Sequence, residues 1–281
     1  MVETKTGTPD RRRSTALGIV FGMVLAGGTG AQAQTDPPPP QPLTISTVCT
    51  PEDVDDTGFV DVADDNLHRR AIDCVVRYGI ASGTTATTYD PGQSVRRDQM
   101  ATFVARLIDT VGESDGNVPK LPPGGTDPFP CDLPPADNVH FDNIARLVSA
   151  ELVNGGPGGL EDDCFGPNLL VTRAQMATFI DRAVAFVGRP IVEEANVAFT
   201  DYYTDDDVSP HQRNINAITS EGIAAGVGRD AGGNYLYGPR AGVRRDQMAS
   251  FLARTLSYLA DHGLAIAPPP PPPSNPSPVS G

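Results

Sequence analysis

The sequence predicts a mainly α fold of three helix-loop-helix repeats with proline-rich, disordered termini. Three observations carry that prediction. First, one phrase is written three times, as Val95–Phe103 (VRRDQMATF), Val171–Phe179 (VTRAQMATF) and Val243–Phe251 (VRRDQMASF). Each copy closes on an arginine three residues later: Arg106, Arg182 and Arg254. Second, His68, His140 and His211 precede the three copies at matching distances. Each stands four residues before an isoleucine (Ile72, Ile144, Ile215) and 12 before an aliphatic residue (Ile80, Leu152, Ile223), with a glycine three further on (Gly83, Gly155, Gly226). Third, proline tracts at 37–42 and 268–273 bracket the repeats. Units of this size do not bury a core alone, so function is expected where they meet.

In chain order, Lys5 and Arg11-Arg12-Arg13 make a basic n-region and Ala16–Ala26 an apolar h-region. Ala31-Gln32-Ala33 then supplies small residues for cleavage, so residues 1–33 read as a signal peptide. The apolar stretch is shorter than the roughly 20 residues a spanning helix needs. Residues 34–44 form a Pro-rich linker and 45–112 the first repeat. A linker follows at 113–125, then the second repeat at 126–188, the third at 195–262, and a Pro-rich tail at 263–281. The proline tracts read as extended polyproline spacers. The repeats leave no stretch for a separate catalytic domain.

Within a unit, the first helix runs from the histidine to about Tyr78, Ala150 or Ser220, with Ile72, Val75, Val76 and Ile80 at helical spacing. Gly79 and Gly222 end their helices as left-handed caps. Glu151 holds that place in the second repeat, which predicts a different turn there. A Gly-rich polar loop leads to Tyr89-Asp90-Pro91, Phe165-Gly166-Pro167 or Tyr237-Gly238-Pro239, and the phrase opens the second helix. Thr172 and Gln175 make a capping box, and Asp98 and Asp246 sit in a first turn where the helix dipole favours negative charge. Met100, Phe103, Val104 and Leu107, echoed by Met176, Phe179, Ile180 and Ala183 and by Met248, Phe251, Leu252 and Thr255, form a core stripe.

The chain carries a net charge of −14, and removing residues 1–33, with four basic and two acidic groups, makes it −16. That balance argues against nucleic acid or anionic lipid as partner. Lysine occurs only at 5 and 120, so any bound anion would meet arginine, whose guanidinium fork suits bidentate recognition. Cys49, Cys74, Cys131 and Cys164 fit an oxidising compartment. Four cysteines allow three pairings. The local one, Cys49–Cys74 with Cys131–Cys164, is preferred because it keeps each bridge inside one repeat, and a zinc site is disfavoured because no Cys-x-x-Cys pair exists. Asp53–Asp64 offers oxygens at calcium-loop positions 1, 3, 5, 9 and 12 with Gly58 at 6, but an Asp at 12 and Pro51 before it weaken the match. No hydrolase or phosphate-binding motif is present, and Glu161–Asp163 and Asp205–Asp207 read as solvated loop charge. The expectation is a non-enzymatic chain with no cofactor, no metal and no catalytic residue.

Before each first helix stands an aromatic and an aspartate: Phe59-Val60-Asp61, Phe129-Pro130-Cys131-Asp132 and Phe199-Thr200-Asp201. With the glycine, the aromatic-x-Pro turn and the Val-Thr-Arg-Ala-Gln phrase, this pattern resembles the S-layer homology (SLH) domain over about 200 residues in three copies. The resemblance implies a pseudo-threefold arrangement with grooves between repeats. It also implies non-covalent attachment to an anionic cell-wall secondary polysaccharide, often pyruvylated; with the signal at 1–33, the expectation is a secreted, extracellular monomer with no membrane contact after signal cleavage. The family's groove arginine falls on Arg97, Arg173 and Arg245, its early aspartate on Asp61, Asp132 and Asp201, and its glycine on Gly83, Gly155 and Gly226. These nine are the candidate ligand residues. Gln replaces the family's Glu throughout, and tryptophan is absent, with the histidines roughly where the family often has one. An arginine at a helix start opposes the dipole and needs a partner, either one of these aspartates or a bound anion. The alternative is an extracellular scaffold or protein-interaction module that binds no polysaccharide.

Overall fold

The structure, a computed structural model, describes residues 42, 48–50, 54, 56–112, 118–125, 128–133, 138–156, 159–192, 199–204, 207–208 and 210–267. The expected signal peptide, nearly all of both proline tracts, Asp53 and Asp55 of the acidic loop, and Asp205 and Asp206 lie outside the described residues. The described chain is mainly helical, with α1 (Arg69–Arg77), α2 (Arg97–Gly112), α3 (Phe141–Ser149), α4 (Arg173–Phe186), α5 (Gln212–Ser220) and α6 (Arg245–Asp261). None of these helices is long and apolar enough to cross a membrane. Two small antiparallel hairpins, which the sequence did not predict, flank α5. They are β1 (Tyr203–Thr204) with β2 (Asp207–Val208), and β3 (Gly228–Arg229) with β4 (Tyr235–Leu236).

The short helices α1, α3 and α5 start where the histidines predict. His68, His140 and His211 are the N-cap residues, although none caps with its side chain. Gly79 and Gly222 end α1 and α5 at φ 69° and 66°. The expectation for Glu151 is overturned: its φ is 58°, so it makes the same left-handed turn as the two glycines. The following residue shows the same closure in both copies, with Leu152 N–H donating to Leu147 and Ile80 N–H to Val75, both at 2.9 Å. The burial of Leu152 and Ile80 holds the turn regardless of the residue before them.

The phrase helices α2, α4 and α6 carry the predicted stripe, and every one of its twelve residues is buried. Their packing partners are not their own leading helices. Helix α2 packs on α3, α4 on α5, and α6 returns to α1. The linker between copies thus places each phrase helix against the next leading helix, and the last against the first. Val118 and Leu121 of the expected linker and Leu264 of the expected tail are buried, so these connections contribute to the core.

At the centre the three phrases meet edge to edge. Val95 N–H donates to the Val243 carbonyl (2.8 Å), Val243 N–H to Val171 (3.0 Å), and Val171 N–H to Val95 (2.9 Å), a closed triangle of backbone bonds. All three valines are at most 1% exposed. The disulfides take the local pairing, Cys49–Cys74 tying the incoming chain to α1 and Cys131–Cys164 tying the segment before α3 to the loop after it. Loops of 25 and 33 residues each contribute about 3–4 kcal/mol by the chain-entropy model. The third copy lacks cysteines; there Phe199 bridges to Tyr235 of the β3–β4 hairpin.

Candidate functional site

The first free N–H groups of each phrase helix have no partner within the helix. Here another copy's turn supplies one. Arg97, Arg173 and Arg245 donate to the carbonyls of Leu169, Ala241 and Gln93 at 2.8–2.9 Å, and the next residues donate to those of Pro167, Pro239 and Pro91. This docking fixes the direction of the arginine side chains, which lie across the neighbouring copy. Arg173 donates from Nε to Tyr237 O (2.9 Å) and from Nη2 to Ala225 O (2.7 Å). Arg245 does the same to Tyr89 O (2.8 Å) and Ser82 O (2.9 Å). Arg97 keeps only the second bond, Nη2 to Asn154 O (2.7 Å), and its Nε is buried with no hydrogen-bond partner. Each guanidinium also lies over the aromatic ring of the receiving turn: Phe165 at 4.8 Å, and Tyr237 and Tyr89 at 4.6 Å. The compensating partners that the sequence left open are therefore carbonyls and ring faces.

The aspartates proposed as ligand residues take another position. Asp61 accepts the backbone N–H groups of Tyr89 and Asp90, Asp132 those of Phe165 and Gly166, and Asp201 those of Tyr237 and Gly238, all at 2.7–2.8 Å. Both oxygens of each carboxylate thus hold the aromatic turn. No ion pair among the described residues joins them to the phrase arginines. The glycines are needed for space: a Cβ at Gly83, Gly155 or Gly226 would stand 2.6–2.7 Å from Cε1 of Phe59, Phe129 or Phe199. Aspartate, glycine and phenylalanine build the wall on which the arginine rests.

The structure adds side chains that the sequence reading did not assign to the site. His68, His140 and His211 bond through Nδ1 to Ser250, Thr102 and Thr178 of the preceding phrase helix, at 2.7–2.8 Å. The arginines that close the phrase lie near these histidines, Arg254 by His68, Arg106 by His140 and Arg182 by His211. Burial pushes all three imidazoles below the ordinary value, and each of these arginines pushes in the same direction. The groove beneath Arg97 draws on all three copies, taking Arg97 from the first, Arg182 from the second and His211 from the third. The signal for this was present, since the closing arginines and the phrase hydroxyls recur as faithfully as the phrase arginines. Which copies combine was not readable from one copy.

The groove beneath Arg97 has a volume of about 270 Å³ and is lined by Leu152–Gly155, Gln175, Thr178, Phe179, Arg182 and His211. No acidic residue is among these. Burial pushes the Arg97 guanidinium down to about 10, with Arg182 adding to the shift and Asp132 opposing it. Gln175 spends its carboxamide oxygen on the Thr172 N–H (3.1 Å) and brings no negative charge.

The described carboxylates of the acidic loop are engaged by the chain itself. Asp61 serves the turn above, while Asp56 and Asp64 pair with Arg69 at 2.7 and 2.8 Å. Among the described residues the one cluster of metal-ligating types is Cys131, Asp163 and Cys164, whose two sulfurs form a disulfide.

The S-layer homology domain family model matches residues 135–177, from the segment before α3 through the second phrase. No curated protein matches the chain.

Proposed function

We propose, on the premise that the chain carries an S-layer homology domain at residues 135–177, that it binds an anionic cell-wall polysaccharide and so attaches to the cell envelope. SLH domains generally anchor proteins to the wall by binding its polysaccharide. We read the first and third copies as SLH repeats too, arranged in pseudo-threefold fashion. The closed Val95–Val243–Val171 triangle and the cyclic helix pairing support that reading. The chain is taken as exported, monomeric and non-enzymatic.

The observation that carries the reading is the Arg97 groove, where Arg97, Arg182 and His211 converge with no carboxylate among the lining residues. A ligand carboxylate brought there relieves the mutual repulsion of the two guanidinium groups and receives charge-assisted bonds. Leu152, Val153 and Phe179 offer an apolar surface to the C–H face of a sugar. In this reading Asp132 and Gly155 serve the ligand through the wall they hold under Arg97, while Asp61, Asp201, Gly83 and Gly226 hold the corresponding walls under Arg245 and Arg173.

Retention on purified cell walls, before and after stripping the secondary polymer, tests this. Binding should vanish on stripped walls; equal retention overturns the reading. Arg97→Ala should abolish retention while shifting the melt little. Arg173→Ala and Arg245→Ala should destabilise by about 3 kcal/mol, because each leaves two carbonyls without a charged donor. A surface scaffold without polysaccharide binding predicts no loss of retention for Arg97→Ala.

A further inference from the structure

The three grooves have the same parts but differ in closure. We infer that only the Arg97 groove takes ligand, that it holds one acidic sugar unit per chain, and that Arg182 is the residue that selects for the charge. This rests on the polysaccharide reading above and narrows it to one site.

Arg173 and Arg245 are 4% exposed, and each is fixed by two carbonyl bonds. The tyrosines beneath them tie the far side as well, Tyr237 O–H donating to the Arg173 carbonyl (3.2 Å) and Tyr89 O–H to that of Arg245 (3.4 Å). Burial pushes both phenols up to about 12, so they stay protonated donors. Those two guanidinium groups are parts of the fold. Under Arg97 the ring is Phe165, which has no hydroxyl, and the guanidinium has a single carbonyl anchor with Nε left over.

Charge at the phrase start does not separate the grooves. Asp98 and Asp246 act on His140 and His68, and their ion-pair partners Arg96 and Arg244 act on the same histidines in the opposite sense. The second copy has Thr172 and Ala174 in place of that pair, so the difference lies in how Arg97 is anchored. Arg182 is exposed, held by one bond to Leu152 O (3.1 Å), and near enough to Arg97 to lower its proton affinity. Among the described residues neither Arg97 nor Arg182 makes an ion pair. With Asp132 acting on Arg97 from behind the turn and no carboxylate among the lining residues, the site is thus two guanidinium groups around a space of about 270 Å³. That is below the roughly 300 Å³ at which drug-sized pockets begin, and it suits one sugar ring better than a longer glycan.

The test is an NMR titration of the full chain with glucuronic acid as probe and glucose as the neutral control, alongside wall retention. Glucuronate should perturb amides at 152–155 and 175–182 with one site per chain, and glucose should not. Arg182→Ala, an exposed position, should keep the melting temperature and weaken glucuronate at least tenfold. Arg106→Ala and Arg254→Ala, its counterparts, should change affinity less than twofold, with each melt recorded. Equal perturbation in all three grooves, equal response to glucose, or similar losses in the three variants would overturn the inference. Wild-type chain that binds walls with no effect of Arg182→Ala sinks the one-groove inference alone. Glucuronate bound in the Arg97 groove without wall retention sinks the polymer reading alone.

Discussion

At the scale of single residues, Glu151 shows how much the surroundings can impose. Left-handed backbone costs an L-residue about 1–2 kcal/mol relative to glycine, yet Glu151 adopts φ 58° between the buried Leu147 and Leu152. Gly79 and Gly222 occupy the same turn without that cost. Glu151→Gly should therefore raise unfolding stability by about 1 kcal/mol in urea titration. An unchanged or lowered midpoint would mean that the glutamate side chain offsets the strain. The phrase arginines give the complementary lesson. Arg97 and Arg245 share the context Val-Arg-Arg-Asp, yet they differ in environment, because the residue beneath is Phe165 for the one and Tyr89 for the other, a difference of one hydroxyl.

At the scale of elements, the start of the phrase helix is built in two ways. Helix α4 uses Thr172 as N-cap, its hydroxyl accepting Gln175 N–H (3.3 Å), with Ala174 two positions on. Helices α2 and α6 have arginine at the cap and aspartate in place of the alanine. Asp98 accepts from Arg96 Nε and Nη2 (3.1 and 2.9 Å) and from Gln99 N–H (2.7 Å) while 2% exposed; Asp246 repeats this with Arg244. Arginine and aspartate thus change together, one supplying the charge the other needs when buried. Asp98→Ala alone should cost about 1–3 kcal/mol. Arg96→Thr with Asp98→Ala, which copies the second phrase, should cost clearly less than the sum of the single changes. A double-mutant cycle by chemical denaturation measures the coupling, and additivity within about 0.5 kcal/mol would refute it.

At the scale of the whole molecule, closure replaces local sufficiency. Helix α1 lies on α6, and the triangle of valine bonds needs all three phrases. A fragment ending at residue 194 removes the cover of both α1 and α4 and opens the triangle. It should show no cooperative melt, whereas an array of independent repeats would keep most of its stability per residue. A sharp calorimetric transition in that fragment would refute ring closure.

What the sequence determined by itself is the set of parts. Repetition located the helices, the histidine starts, the capping box, the buried stripe and the local cysteine pairs, because those depend on neighbours within a few turns of the chain. The turn at Glu151 and the two hairpins escaped it, since burial of flanking residues and a bridge from Phe199 to Tyr235 decide them. Nine residues recur in register as site candidates, but periodicity assigns them the same role and cannot say which face a ligand. Only the tertiary structure decided that the aspartates hold turns, that the glycines make room for phenyl rings, and that two arginines are bonded into the fold while Arg97 is left half-anchored beside Arg182. The physical reason is that a groove assembled from three copies depends on contacts between residues 30 to 82 positions apart, where one missing hydroxyl at Phe165 changes how an arginine is anchored.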